Sequence, residues 1–292
     1  MHRNLILYLF FALTLSSTTH AEIKVAVTVK PVHSLVSGIM KGIGEPALIM
    51  TGSISPHHYS LRPSERRTLA DANLIFWVGL ELETFMPRIL HNLDPSTSSI
   101  ALIESAGLEL LPARTSHHHS EMHSRVDPHV WLSAGNAHIM VDEIADRLIA
   151  LDPANTDTYV ANRKRLHQKI TETDEQIRRK LAGKTAAYLS YHDAYQYFEQ
   201  AYGLNNAGFV SSGDEISPSA KYVHELRNII RDRQLHCLFY EAPTRPALVD
   251  TLTAGFKVTV FELDAMGIRL KTGENAWFEI MHKLGEAFES CL

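Results

Sequence analysis

The sequence predicts an α/β protein with two lobes, each a parallel-rich sheet flanked by helices, joined by one long rigid helix. Short apolar or β-branched runs alternate with amphipathic stretches on both sides of the middle of the chain, which is the pattern of parallel βαβ units. A charged stretch between the two halves has helical periodicity and no Gly or Pro in its interior. The chain has 292 residues, more than one hydrophobic core usually holds.

The N-terminus has the three parts of a secretory signal peptide. Arg3 provides the positive charge, an apolar core extends from Leu5 to Leu15, and small residues end at Ala21. We therefore expect residues 1–21 to be cleaved near Ala21 and the rest to be a soluble protein of the periplasm. No cysteine lies near the cut, so no N-terminal lipid anchor is expected. The formal net charge of −5 argues against nucleic acid as a partner.

Residues 22–152 are predicted to form the first lobe. "EIKVAVTVKPVHSLVSGIM" is typical of a strand followed by a helix, "PALIM" of a second strand, and "LRPSERRTLADA" of a helix that starts at Pro63. "NLIFWVG" is typical of a buried strand, and "DPHVWLSAGNAHIMVDEIADRLIAL" of a short extended piece and a helix. This half therefore alternates strands and helices as an open parallel sheet does.

Residues 153–182 are predicted to form one long helix between the lobes. Pro153 fits its first turn and Gly183 its end. Apolar residues recur at helical spacing, namely Tyr159, Leu166, Ile170, Ile177 and Leu181. At 1.5 Å per residue such a helix is about 40 Å long, which suits a strut better than a crossover inside a lobe.

Residues 183–292 are predicted to form the second lobe. The strands are "KTAAYLSYH", "LNNAGFVSS", "LHCLFYEAP" and "KVTVFELDAMG", each followed by a helical stretch, and "NAWFEIMHKLGEAFESCL" closes the chain. The whole is therefore two Rossmann-like lobes in series.

The two cysteines are expected to pair in this second lobe. Cys237 lies in an apolar strand and Cys291 ends the last helical pattern. An even number of cysteines in an oxidising compartment usually forms disulfides. The alternative is two unrelated thiols, one of them a metal ligand.

Four possible metal ligands lie at strand ends or in loops. His57 precedes the Pro63 helix, His129 lies in "DPHVW", His192 ends the strand "AAYLSYH", and Asp264 follows a later strand. Open α/β sheets bind ligands at such positions, so the four would meet in a cleft between the lobes. Three imidazoles and a carboxylate suit Zn²⁺ in a tetrahedron. Asp127 is a possible carboxylate partner that would hold the ring of His129 without binding the metal itself. For each histidine alone, a helix cap or a hydrogen-bonded loop residue is the alternative.

A His-rich segment, "SHHHSEMHS", lies before "DPHVW". Polar residues without periodicity predict a surface loop at about residues 115–124. Its histidines are a possible weak auxiliary metal site, or incidental residues of a solvated loop: His117, His118, His119 and His123. A structural role is predicted for the histidines within or near helices and strands: His33, His91, His138, His167, His224, His236 and His282.

Several of these segments together carry a family resemblance. "SPHHYSLRPS", "ANLIFWVGLELETFM", "DPHVWLS", "YHDAYQYFEQAYGL", "YEAPTRPA", "ELDAMG" and the cysteine pair occur in order over nearly the whole chain after the signal. The chain resembles the metal-specific solute-binding proteins of bacterial ABC importers, the cluster 9 or A-I group. Its short His-rich loop is typical of the zinc-type members.

The resemblance implies ligand roles for particular residues. The family's "H-x-Y" motif makes His57 the ligand and His58 its neighbour, and His129 and His192 are also implied ligands. Manganese-type members usually have Glu where this chain has His192, so the resemblance favours zinc. Asp264 matches the family's carboxylate position, although zinc-type members also use water or a mobile acidic residue there.

The function that the resemblance implies is zinc capture in the periplasm and delivery to a membrane permease, by a monomer without catalytic activity. A manganese or other divalent-metal binding protein or adhesin of the same family is the first alternative. A zinc hydrolase is the second, since three histidines and an open position can activate water. The sequence contains no HExxH motif to support it.

Overall fold

The computed structural model describes residues 23–52, 55–114, 126–211, 218–243 and 245–292. The predicted signal peptide at residues 1–21 lies outside these residues. So do four histidines of the predicted surface loop: His117, His118, His119 and His123. Within the described residues, no helix combines the length and the hydropathy that a membrane crossing needs.

The first lobe is a four-stranded parallel sheet in the order β2-β1-β3-β4. Its strands are β1 (Val25–Val27), β2 (Ala47–Leu48), β3 (Leu74–Trp77) and β4 (Ser98–Ala101). Its helices are α1 (Lys30–Ile39), α2 (Pro63–Ala70), α3 (Met86–Leu90) and α4 (Ala134–Leu151). The central strands β1 and β3 are buried throughout, as expected for a parallel sheet covered on both faces.

Two short elements of this lobe were not predicted from the sequence, the helix α3 and the strand β4. Strand β4 is an edge strand with a polar start and no fully buried residue. Such a segment lacks the apolar run by which the central strands were recognised, and only its pairing with β3 defines it.

The second lobe repeats the arrangement with the strand order β6-β5-β7-β8, again parallel. Its strands are β5 (Ala187–His192), β6 (Asn205–Ser211), β7 (Cys237–Glu241) and β8 (Thr259–Leu263). Its helices are α6 (Gln196–Tyr202), α7 (Ala220–Asp232), α8 (Ala247–Thr253) and α9 (Ala276–Cys291). The predicted fold class, two α/β lobes and a long helix, is confirmed.

The long helix between the lobes is α5 (Thr156–Leu181), with 26 residues and a length of about 39 Å. Its apolar face is buried at the positions that the periodicity indicates. The α-helix begins three residues later than predicted, because Pro153–Asn155 forms a 3-10 turn. The Asp152 carboxylate holds this turn by accepting hydrogen bonds from Asn155 Nδ2 at 2.7 Å and from the Tyr159 hydroxyl at 3.0 Å. The domain limits at residues 152 and 183 stay a prediction.

The lobes share one buried core as well as the helix. Helix α9 of the second lobe packs on α1 and α5. The indole Nε1–H of Trp131 donates to the Ala265 carbonyl at 3.0 Å, and that of Trp277 donates to the Trp131 carbonyl at 2.7 Å. The Lys30 ammonium donates to the carbonyls of Gly267 at 2.5 Å and Leu270 at 2.8 Å. The loop after β8 is therefore docked on the first lobe.

The disulfide joins Cys237, at the start of β7, to Cys291, at the end of α9. This is the pairing predicted from the sequence. The bridge lies within the second lobe and fixes its last helix to its sheet.

Candidate metal centre

Three histidines from distant parts of the chain meet between the lobes. His57, His129 and His192 each offer one ring nitrogen, and these three nitrogens all lie within 4.8 Å of one another. The ring centroids are 5.7 Å apart for His57 and His129, 5.9 Å for His57 and His192, and 5.2 Å for His129 and His192. In the described part of the chain, no other group of three or more His, Cys, Asp or Glu side chains converges in this way.

His57 lies in the 3-10 turn Pro56–His58, just before helix α2. Pro56 presets the first residue of the turn. The Glu65 carboxylate anchors the chain that follows, because it accepts hydrogen bonds from the Tyr59 hydroxyl at 2.8 Å and from the Arg62 amide at 2.7 Å. The turn is thus tied to the first turn of α2, and His57 is presented from a fixed backbone.

His129 is held by the carboxylate of Asp127. Oδ1 of Asp127 accepts hydrogen bonds from the backbone amide of His129 at 2.9 Å and from its Nδ1 at 2.7 Å. Because a carboxylate only accepts, Nδ1 carries the proton and Nε2 keeps its lone pair. The Tyr197 hydroxyl of the second lobe donates to the Asp127 carbonyl at 2.9 Å, which ties this segment across the cleft.

His192 ends strand β5, and Glu241 ends the neighbouring strand β7. Parallel strands end at the same edge of a sheet, so the two side chains meet there, and His192 Nδ1–H donates to the Glu241 carboxylate. His192 Nε2 is buried and has no hydrogen-bond partner among the described residues. Burial is the largest single effect and lowers the pKa of His192, but the Glu241 carboxylate, together with Asp193 and Asp127, outweighs it, so the pKa is raised.

The histidines line a cavity of about 220 Å³. Lys30, Pro243 and Ile268 form other parts of its wall, so both lobes contribute to it. Glu241 also lines the cavity, and its position next to His192 was not predicted from the sequence. In the sequence, the acidic residue at the end of the strand "LHCLFYEAP" indicates a possible partner for a ligand. Only the pairing of β5 with β7 shows that this partner is that of His192.

Asp264, predicted as a fourth ligand, does not belong to the group of three histidines. Its Oδ1 accepts a hydrogen bond from the Ile268 amide at 2.9 Å, and its Oδ2 accepts one from the Arg269 amide at 3.3 Å. Asp264 is also absent from the cavity wall, to which Ile268 contributes. Its role as a ligand stays a prediction.

The chemistry of the group suits a borderline divalent cation. Two of the three rings have their outer nitrogen held by a carboxylate, as in carboxylate–histidine–metal arrangements, so their inner nitrogens are available as neutral donors. Three imidazole nitrogens with an open fourth position match the preference of Zn²⁺ for tetrahedral coordination. The fold and this centre therefore define a two-lobed protein of the solute-binding type, whose cleft holds three converging imidazoles that suit a cation.

Comparison with known proteins assigns the chain to a family within this class. The chain belongs to the family described as "ZnuA: Zinc-uptake complex component A periplasmic", whose model matches residues 25–291.

Curated relatives are similar over almost their whole length. A Brucella abortus protein called "High-affinity zinc uptake system protein ZnuA" is 30% identical over 304 residues, covering 92% of this chain and 91% of that protein. A Haemophilus ducreyi protein of the same name is 29% identical over 298 residues, with 95% and 96% coverage.

Solved structures share the fold. The periplasmic zinc-binding protein TroA from Treponema pallidum superposes with a TM-score of 0.77 at 24% identity, covering 93% of this chain and 99% of that one. FpvC from Pseudomonas aeruginosa in complex with Mn²⁺ gives a TM-score of 0.82 at 21% identity, with 93% and 98% coverage. One of these proteins is thus named for zinc and the other is described with Mn²⁺, so the ligand set of each chain must be considered separately.

Proposed function

We propose that this protein is the periplasmic zinc-binding component of a high-affinity ABC-type zinc uptake system and delivers Zn²⁺ to a membrane permease. The convergence of three imidazoles, two of them oriented by carboxylates, carries the proposal. Family membership and the names of the relatives support the transport role.

His57, His129 and His192 hold the ion in this proposal. His129 and His192 bind through Nε2, because their Nδ1 atoms donate to Asp127 and Glu241. The fourth position belongs to Asp264 or to water. Both Asp264 oxygens accept hydrogen bonds from amides of the loop after β8, those of Ile268 and Arg269.

The ligand set favours zinc over manganese. Imidazole donors suit zinc, whereas manganese prefers carboxylate, carbonyl and water oxygens. Among the described residues, the group that converges contains three imidazoles and no carboxylate. A manganese-binding member of the family is the alternative, and direct competition between the two metals separates them.

The proposed role requires no turnover. A zinc hydrolase needs a general base near the metal-bound water. Glu241 is the carboxylate on the cavity wall, and it is already engaged as the acceptor for His192 Nδ1–H. The protein therefore functions as a carrier that is exported to the periplasm.

The experiment is a chelator-competition titration of zinc and manganese into single alanine variants. Removing a residue that hydrogen-bonds to a metal ligand costs about 10–100-fold in metal affinity. Removing a ligand itself, His57, His129 or His192, should therefore lower zinc affinity by more than about 100-fold. His58→Ala is the matched control and should bind zinc like the wild type. Equal losses at His57 and His58, or manganese binding as tight as zinc binding, would contradict the proposal.

A further inference from the structure

A second group of metal-ligating side chains lies where helices α4 and α5 pack together. His138 and Asp142 are one helical turn apart on α4, and His167 and Thr171 are one turn apart on α5. The group is partly exposed, with 31% of the His167 side chain and 48% of the Asp142 side chain accessible. It is separate from the three-histidine centre and shares no residue with it.

The two imidazole rings face each other through their Nδ1 atoms. Nδ1 of His138 and Nδ1 of His167 are 2.6 Å apart, the ring centroids are 4.9 Å apart, and the ring planes differ by 14°. The centroid distance is comparable to the 5.2–5.9 Å found among the three cleft histidines. In the absence of a metal, one proton is shared between these nitrogens.

The outer nitrogens of both rings have oxygen partners. Nε2–H of His167 donates to Asp142 Oδ1 at 2.9 Å, which leaves Nδ1 of His167 as a lone-pair donor. Nε2 of His138 lies 3.4 Å from the hydroxyl oxygen of Thr171, which itself donates to the His167 carbonyl at 3.0 Å. The Thr171 oxygen can therefore accept a hydrogen bond from Nε2–H of His138. Both rings then remain neutral, with their Nδ1 lone pairs facing each other across the 2.6 Å contact.

The local charges also suit a cation. Burial and the neighbouring His167 lower the pKa of His138, which favours its neutral form as a metal ligand, while Asp142 and Asp174 act in the direction that favours a nearby positive charge. Arg163 opposes them, because its Nε lies 3.9 Å from Asp142, but its guanidinium is paired more closely with Asp146 at 2.9 Å.

We propose that His138 and His167 form a second, weaker binding site for a divalent transition metal, with Zn²⁺ as the expected ion. Zn–N bonds of about 2.0–2.1 Å at a tetrahedral angle place two nitrogens about 3.3 Å apart. The present 2.6 Å contact must therefore open by about 0.7 Å, and both rings must turn so that their lone pairs meet at the ion instead of head-on. Water completes the coordination, and Asp142 orients His167 through its Nε2–H.

The test is a zinc titration of the exported chain without residues 116–124, whose histidines would otherwise compete. After one equivalent of Zn²⁺ has filled the cleft centre, calorimetry should show that a second equivalent binds with lower affinity. His138→Ala and His167→Ala should each abolish it, and Asp142→Asn should weaken it about 10-fold. His224→Ala, which removes an exposed histidine from α7, is the control and should leave it unchanged.

Several results would overturn the site. They are no binding of a second Zn²⁺ equivalent, binding of that equivalent by His138→Ala or His167→Ala, and an equal loss of its binding in His224→Ala.

A second measurement does not depend on variants. In ¹H–¹⁵N spectra of the loop-deleted chain, the second equivalent should shift Nδ1 of both His138 and His167 while the Nε2–H of His167 persists. Unshifted Nδ1 signals would show that His138 and His167 share a proton and do not bind zinc. Binding of the first equivalent tests the cleft centre separately.

Discussion

Replacing Glu241 by Ala should weaken zinc binding without removing a ligand. The carboxylate of Glu241 holds the Nδ1–H of His192 and thereby directs the buried Nε2 of His192 into the cleft. Without it, the imidazole can rotate or take its other tautomer, and part of the population then presents N–H to the ion. Loss of such a partner costs about 10–100-fold in metal affinity, which corresponds to about 1.4–2.7 kcal/mol.

The charge of Glu241 gives this prediction a second, independent readout. Glu241 raises the pKa of His192 against the effect of burial, so its removal should lower that pKa. Protons then compete with zinc only at lower pH. Zinc affinity at pH 7.5 should fall, while the pH below which the apparent affinity begins to decline should move downwards. A general loss of structure would weaken binding without that shift.

The assay is chelator competition between pH 5 and pH 8. Glu241→Gln should have a smaller effect, because its amide oxygen still accepts from Nδ1–H. Glu262→Ala is the matched control. It lies on the neighbouring strand β8 with a similar side-chain exposure, 29% against 25% for Glu241, and its carboxylate binds Arg269 instead of a histidine. Wild-type affinity in Glu241→Ala, or an equal loss in Glu262→Ala, would refute the reasoning.

Three further predictions concern acid, the fourth position and the disulfide. Apparent zinc affinity should fall steeply below about pH 6, because protons compete for imidazoles whose ordinary pKa is about 6.5, and a flat titration from pH 7 to pH 5 would exclude a three-histidine centre. Asp264→Asn should weaken zinc binding less than loss of any cleft histidine, since both its oxygens accept from the backbone of its own loop, and an equal loss by competition titration would make Asp264 a full ligand. The pair Cys237→Ser and Cys291→Ser should lower the free energy of unfolding by about 4 kcal/mol, given a separation of 54 residues, yet leave zinc affinity near normal in the folded fraction. Loss of the tight site with an intact circular dichroism spectrum would instead make a thiol a ligand.

Much of the fold follows from local properties of the sequence. The apolar run "NLIFWVG" and the period of Tyr159 and Leu166 depend only on neighbouring residues, so the buried strand β3 and helix α5 were predicted. The edge strand β4 was missed because it has no such run and exists through its pairing with β3.

His129 and His192 stand at loop and strand-end positions, and the segment around His57 carries the "H-x-Y" motif, so the sequence predicts all three as ligands. The tertiary structure decided which atoms can bind. The contact between Glu241 and His192 joins residues 49 positions apart, and it arises because β5 and β7 are paired with their carboxyl ends at one edge.

The position of Asp264 was likewise decided only by the tertiary structure. Sequence places it at the end of a strand, where a ligand is plausible, but its carboxylate accepts hydrogen bonds from the Ile268 and Arg269 amides. Lys30 of the first lobe holds that loop through its carbonyls. The pair of His138 and His167 shows the same limit, because two histidines within helical patterns give no sign that their helices bring Nδ1 atoms to 2.6 Å. Periodicity records which face of an element is buried, whereas distances between side chains of separate elements depend on how those faces pack.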